Sequence, residues 1–455
     1  MKVISAKFTR EIRQILRLCL PIFAANLATT VMSFIDTTMA GTVSPTDLAA
    51  VAVATSIWLP VLLLVQGLIM ALSPITAHYY GAQAQHNIAN AVWQTGYLGL
   101  AMVAILLLCS PVVPIIIESM VDDPHLAELT LGYLKGIVWS APAFVVFQVL
   151  RNMSEGMDFT RPIMLIGLLG LILNVPANYV FIYGKFGLPA LGGAGCGWAT
   201  AIVNWCMMLG MMLYVRRHPH YKKVSLVEVI PALHWHQISS LLRLGIPISL
   251  SLFFEVSLFA VVALLVAPLG AAHVAGHQVA INFSSMIFMI PLSIGMAVTI
   301  RVGINLGAKR SEDALYSVKS GIAFGLLIAL VTAVATVVLR NLIADVYTDD
   351  NHVIDLAASL LLLAAIYQLP DTVQAIGAGA LRGYKDSKAI FIITLAAYWG
   401  IGLPIGYILG MTDIMVPAMG AKGFWIGFIA GLSSAAILFG LRLNQYRVKS
   451  HWQKR

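Results

Sequence analysis

Twelve times along its 455 residues the sequence supplies an apolar run of roughly 20 residues, the length that crosses a ~30 Å hydrocarbon core as an α-helix. The runs centre near 26, 61, 104, 142, 173, 205, 254, 288, 328, 367, 400 and 433. Backbone N–H and C=O groups find no water in lipid, so a run of this length must satisfy them internally, as a helix does. The charge content agrees: 11% of residues are charged and 59% hydrophobic, against about 25% charged in a soluble domain. The sequence therefore specifies an all-α polytopic membrane protein with twelve transmembrane helices. The first run is full length and lacks a small-residue cleavage site, so it reads as a retained span.

The formal charge of +8 invites a nucleic-acid reading, which its distribution excludes. Threading the spans with the amino terminus inside places 24 of the 28 Lys and Arg on one side, from Lys2, Lys7 and Arg10 through Arg216, Arg217 and Lys222 to the basic residues from Arg442 onward. The opposite loops carry acids instead, as in "ESMVDDPHLAE" and "ADVYTDDNHVID". This positive-inside bias puts both termini in the cytoplasm and gives the basic clusters a topological role at the membrane surface. The four cysteines, Cys19, Cys109, Cys196 and Cys206, show neither a CxxC nor a paired spacing, so there is no disulfide framework and no zinc ribbon.

An internal repeat sets the expected architecture. "LRLCLPI" at 16–22 matches "LRLGIPI" at 242–248 in five of seven positions, an offset of 226. The same offset pairs "MALSPITAHYYGA" with "MAVTIRVGINLGA", and at 227 or 228 "GMDFTRPIMLI" pairs with "GYKDSKAIFII". Each half holds six spans, an even number, so both halves share one orientation. Two six-helix lobes related by a pseudo-two-fold axis along the membrane normal are expected, the parallel-repeat plan of transporters. The amino-terminal lobe is expected over 1–215, a cytoplasmic linker over 216–240 and the carboxy-terminal lobe over 241–455.

Three acidic residues lie within spans: Asp36, Glu255 and Asp371. A carboxylate at that depth costs roughly 2.5–3.5 kcal/mol even on insertion scales, so it faces a bundle interior or a watery cavity. At the repeat offsets their counterparts are Val262, Thr29 and Ala143, so the duplicated scaffold does not duplicate the charge. A fixed hydrogen-bond network is the bland alternative; a site for a cation is the functional one. A carboxylate stripped of water holds a proton more readily, and clustered oxygens replace the hydration shell of Na⁺. Tyr367 stands one turn before Asp371 on the same helix face, with Pro370 freeing a carbonyl between them. Asn174 and Asn178 flank Pro176 at i and i+4, two amides on one face that are expected to look inward toward Asp36, helix–helix hydrogen bonding being the other use for them.

Over essentially its whole length the chain resembles the MATE (multidrug and toxic compound extrusion) transporters, in particular their bacterial NorM-like branch. The stretches that carry the resemblance are "FIDTTMAG", "NVPANYVFIYGKFGLPALGGAGCGWATA", "LFFEVSLFAVVALLVAPLG" and "LRGYKDSKAIF". The resemblance implies a secondary antiporter in the bacterial inner membrane that exports amphipathic cationic drugs in exchange for Na⁺ or H⁺, with no cofactor. It implies a cation site at Glu255, Tyr367 and Asp371 and a polar cluster of Asp36, Asn174, Asn178 and Thr200. It also implies drug contacts that include Asp36, Gln278 and Asp350. The same carboxylates serve either ion, and the NorM-like branch points to Na⁺. Small hydrophobic cations and membrane lipid are the expected partners, and a monomer the expected state. Pro21 and Pro247, at equivalent points of spans one and seven, are candidates for bends.

Other motifs carry less. "GGAGCG" at 192–197 lacks the Lys-Ser or Lys-Thr of a phosphate loop and reads as a turn into a tightly packed span. His273 and His277 are spaced i, i+4 without a third ligand nearby, and His234 and His236 read as solvated. With no Walker motif and no HExxH, neither an ATP-driven pump nor a metalloprotease is supported, and no constellation suggests an enzyme. A lipid-precursor flippase of the same two-lobe plan is the remaining alternative. It would favour Lys and Arg deep in the cavity to meet pyrophosphate, where this chain offers acids.

Overall fold

The computed structural model describes residues 2–226 and 230–452. Positions 1, 227–229 and 453–455 lie outside it, among them the outer limits of both expected lobes, part of the expected linker, and Lys454 and Arg455. Among the described residues there is no β-strand. Among the described residues eleven helices are long and apolar enough to cross a membrane, and a bent pair, taken as one span, makes a twelfth. In chain order they are α1 (Ala6–Gly41), α2 (Pro45–Gly81), α3 (His86–Ser119), α4 (Pro124–Trp139 with Ala141–Gly156), α5 (Arg161–Tyr183) and α6 (Gly193–Arg217). There follow α7 (Trp235–Leu269), α8 (Ala271–Gly307), α9 (Ser311–Tyr347), α10 (Asn351–Gly383), α11 (Ser387–Met411) and α12 (Ala421–Tyr446). The 45° bend in α4 has a local cause. Pro142 brings no N–H to the ladder, and the Ser140 hydroxyl turns back onto the Ile137 carbonyl at 2.6 Å.

The chain divides into two compact units, Leu20–Ser249 on one hand and Met1–Cys19 with Leu250–Arg455 on the other. The division falls inside α1 and α7, each beside its proline: Pro21 is the second residue after Cys19, and Pro247 the second before Ser249. Both long helices therefore contribute one segment to each unit.

In the unit Leu20–Ser249, residues of the connection between α6 and α7 are fastened to α3. Trp93 Nε1 donates to the Leu226 carbonyl at 2.9 Å and the Tyr97 hydroxyl to that of Pro231 at 3.0 Å. The fully buried Gln94 donates to the Ala232 carbonyl at 2.8 Å and accepts from the His234 backbone N–H at 3.0 Å. The glycine run opening α6 works as a turn: Gly192 takes a left-handed φ of +54°, and Gly193 N–H donates to Asp47 Oδ1 at 2.5 Å. A Cβ on Gly197 would meet the Tyr133 backbone, so α6 lies against α4 at a distance only glycine permits.

The second unit contains a glycine seam. Gly402, Gly406 and Gly410 of α11 recur every four residues, as do Gly423, Gly427 and Gly431 of α12. A Cβ built on Gly427 would stand 2.6 Å from Gly406 Cα, so the two backbones are in direct contact. Lipid offers no hydrophobic drive between helices, and small residues that admit close backbone packing supply the attraction instead. At one end of this seam α11 departs from α geometry: Leu395–Gly402 forms a π-helical turn, and its last residue, Gly402, packs against Gly427 and Gly431.

In the same unit the start of α1 is tied to α8 and α9 by the buried Glu11 and the partly buried Arg301. Arg301 donates from Nε and Nη2 to Glu11 Oε1 and Oε2, both at 3.1 Å. Ser317 Oγ donates to Glu11 Oε1 at 2.6 Å and accepts from Asn305 Nδ2 at 3.1 Å. Lys7 and Asp313 add a second pair at 2.9 Å, this one largely exposed.

Candidate functional site

The intramembrane carboxylates fall into two clusters, one in each unit. In the first, Asp36 of α1 meets α5 and α6. Asn174 and Asn178, on one face of α5 either side of Pro176, donate through Nδ2 to Asp36 Oδ1 at 2.9 and 2.6 Å. Thr200 Oγ1 of α6 donates to Oδ2 at 3.1 Å, and Cys196 Sγ–H donates to the Asp36 backbone carbonyl at 3.4 Å. A carboxylate only accepts, so both amides must turn their NH₂ groups toward it. That leaves Asn174 Oδ1 and Asn178 Oδ1 buried without hydrogen-bond partners. Leaving such an acceptor unmet costs roughly 1–3 kcal/mol.

The second cluster joins Glu255 of α7 with Tyr367 and Asp371 of α10. Asp371 and Tyr367 are buried and Glu255 is partly so. The two carboxylates lie within electrostatic reach of each other and of Tyr367, and Glu255 also feels Arg382. Asp371 opens onto a cavity shared with Ser284, Thr332 and Gln368. Gln368 is held by Thr332 at 2.8 Å and by Thr336 at 3.0 Å, whereas Ser284 Oγ has no partner. Tyr367 is steadied edge-on by Trp425, ring centres 5.7 Å apart. Trp399 of α11 donates its indole N–H to the carbonyl of Phe254, the residue before Glu255, at 3.0 Å.

The ionisable groups of this second cluster are two carboxylates and a phenol, with hydroxyls and an amide beside Asp371. Hard cations and protons suit such a set; transition metals prefer imidazole and thiolate. Among the described residues no group of three or more His, Cys, Asp and Glu could hold a metal ion. His277 accepts at Nδ1 from the Trp425 indole at 3.3 Å, while His273 packs beside Gly420.

The remaining expected contacts stand elsewhere. Gln278 is exposed and donates to Asn282 Oδ1 at 2.9 Å. Asp350 is the cap of α10, its Oδ1 accepting from the His352 backbone N–H at 2.9 Å. Their hydrogen bonds reach neither carboxylate cluster. Sequence reasoning passed over Ser284, Gln368, Tyr398 and Trp399. Nothing in the spacing of Ser284, Tyr398 or Trp399 marks it against its neighbours, and Gln368 stands in the shadow of Tyr367 and Asp371.

Helices of these lengths, with carboxylate clusters inside the spans, define a multi-pass membrane protein. The chain belongs to the MATE family: the MatE family model matches residues 21–180 and 247–408, once in each half of the repeat. The chain is 51% identical over 444 residues to the multidrug resistance protein MdtK of Edwardsiella ictaluri, covering 96% of each. It is 50% identical over 434 residues to a probable multidrug resistance protein NorM of Shewanella oneidensis, covering 95% of each. Among solved structures, the fold matches the eukaryotic MATE transporter AtDTX14 with a TM-score of 0.84 at 20% identity, over 97% of this chain and 99% of that one. It also matches the Vibrio cholerae MATE transporter VcmN in its bent form, with a TM-score of 0.86 at 17% identity over 97% and 99%.

Proposed function

We propose that this chain is a secondary multidrug efflux antiporter of the bacterial inner membrane, exporting amphipathic cationic compounds in exchange for Na⁺. The proton is the alternative coupling ion. The multidrug reading draws on relatives near 50% identity that are named multidrug resistance proteins. The observation that carries the coupling is that Glu255 and Asp371 lie within electrostatic reach of each other inside the spans. Two anions held close with little water repel each other, and an entering cation relieves both that repulsion and the missing hydration. Asp36, fixed by three donors and flanked by two open amide oxygens, provides a second seat for a cation or a protonated drug.

Exchange follows if ion and drug favour different states of the protein. A bound ion shifts the equilibrium only by its difference in affinity for the two states, so the ion site must change as the transporter changes. α1 and α7 suit that role, because each contributes to both compact units and carries a proline beside the division. The lobes 1–215 and 241–455, with both termini cytoplasmic, are the proposed moving bodies.

Proteoliposomes loaded with ethidium and given either a Na⁺ gradient or a pH gradient test this reading. Ethidium movement driven by Na⁺ alone supports Na⁺ antiport; movement driven by pH alone assigns the proton. With folded protein, no movement under either gradient would reject the antiporter and favour a lipid-precursor flippase.

A further inference from the structure

We propose that the hydroxyl oxygen of Tyr398 is a further ligand of the cation carried at Glu255 and Asp371, presented to it by the π-helical turn of α11. The inference rests on the reading of those two carboxylates as a cation site and adds a residue that the sequence did not single out.

Tyr398 is 2% exposed, and its hydroxyl has no hydrogen-bond partner. A buried phenol normally finds one, and each exception calls for an explanation. Packing alone does not supply it. Tyr398 and Tyr367 line one small cavity whose other walls are apolar or glycine, so no other side chain there offers a polar atom. Tyr398 is also within electrostatic reach of Glu255, Asp371 and Tyr367 together. Its unmet oxygen feels the field of two carboxylates and a second phenol, which a shared cation would satisfy.

The local backbone serves the same end. π-Turns are rare and frequently lie at functional sites. This one spans Leu395–Gly402 with Tyr398 at its middle. Its neighbour Trp399 fastens the turn to the Phe254 carbonyl at 3.0 Å, next to Glu255 in the chain. On the other side, Gly402 lies against Gly427 and Gly431 of α12, which holds the turn in place. Tyr398 is thus positioned from both sides, while its polar atom is left open. A neutral phenol oxygen complements two carboxylates by adding coordination without adding charge.

The test uses the full-length purified protein and ²²Na⁺ equilibrium binding, with melting temperatures measured in parallel without Na⁺. Tyr398→Phe keeps the ring and removes only the oxygen. The expected result is Na⁺ binding weakened at least about tenfold, the lower end of what losing a supporting group costs a metal site. The Na⁺-free melting temperature should equal or exceed that of the wild type, since an unmet buried hydroxyl has been removed. With Asp36→Asn in every variant, and in the reference they are compared with, to remove the second proposed seat, Asp371→Asn should abolish binding. Wild-type affinity in Tyr398→Phe, with binding lost in Asp371→Asn, would overturn the role of Tyr398 and leave the cation site standing. Weaker binding together with a lower Na⁺-free melting temperature would assign the hydroxyl to packing and also overturn it. If the wild type binds no Na⁺, or if Asp371→Asn and Glu255→Gln leave binding intact, the cation-site reading fails and Tyr398 falls with it.

Discussion

Removing Glu11 should destabilise the protein far more than removing Lys7, although both look like ordinary charges at the start of α1. Glu11 is 9% exposed and accepts from both Nε and Nη2 of Arg301 and from Ser317 Oγ. In Glu11→Ala the Arg301 guanidinium keeps its burial and loses its counter-charge. Breaking a buried pair from one side costs about 3–5 kcal/mol, because the stranded charge retains its full desolvation penalty. At roughly 2 °C per kcal/mol, the low end for a unit of about this size, the melting midpoint should fall by at least about 6 °C. Lys7 and Asp313 have side chains 54% and 38% exposed, and such a pair contributes about 0–1 kcal/mol, so Lys7→Ala is the internal control. Replacing both partners, as in Glu11→Leu with Arg301→Met, removes the stranded charge and should recover much of the loss. Fluorescence-detected thermal melts of wild type, Glu11→Leu, Arg301→Met and the double variant form a complete cycle. A Glu11→Ala midpoint within 2 °C of wild type, or a double variant whose loss is the sum of the singles, would refute the buried pair as a unit.

Two further outcomes follow from the packing and the first cluster. Gly427→Val should fail to accumulate as folded protein or melt at least about 1–3 kcal/mol less stable, since its side chain would enter the α11 backbone; Gly440→Ala, with nothing within 4 Å of the added Cβ, should be neutral or stabilising. Asn178→Ala, which removes the 2.6 Å donor to Asp36, should cost roughly 1.5–3 kcal/mol by thermal melt, and Thr200→Val, at 3.1 Å, less; equal losses would contradict the reading that the amide is the principal donor.

The spans were open to reading from the sequence because lipid imposes one rule on every residue of a run: apolar side chains and a backbone paired within itself. The fourth span was readable as a run but not as a break, since Pro142 sits in a stretch that otherwise continues apolar. The convergence of Asn174 and Asn178 on Asp36 was legible for a related reason. Two amides on one face of a membrane helix need a polar partner, and few polar residues lie within the spans to supply one. Glu11 and Arg301 were hidden by the opposite circumstance. Charges near span ends are common, and nothing in the spacing of residues 290 positions apart reveals a bidentate pair. The π-turn was equally invisible, because "LAAYWGIG" is compatible with an ordinary helix and its register depends on contacts with Phe254 and α12.

Na⁺-driven ethidium transport in proteoliposomes, compared between wild type, Glu255→Gln and Asp36→Asn at matched incorporation, tests the central claim most directly. Ion coupling through the second cluster predicts that Glu255→Gln abolishes the Na⁺-driven component. Wild-type Na⁺-driven rates in Glu255→Gln, with loss confined to Asp36→Asn, would move the coupling site to the first cluster and contradict the assignment.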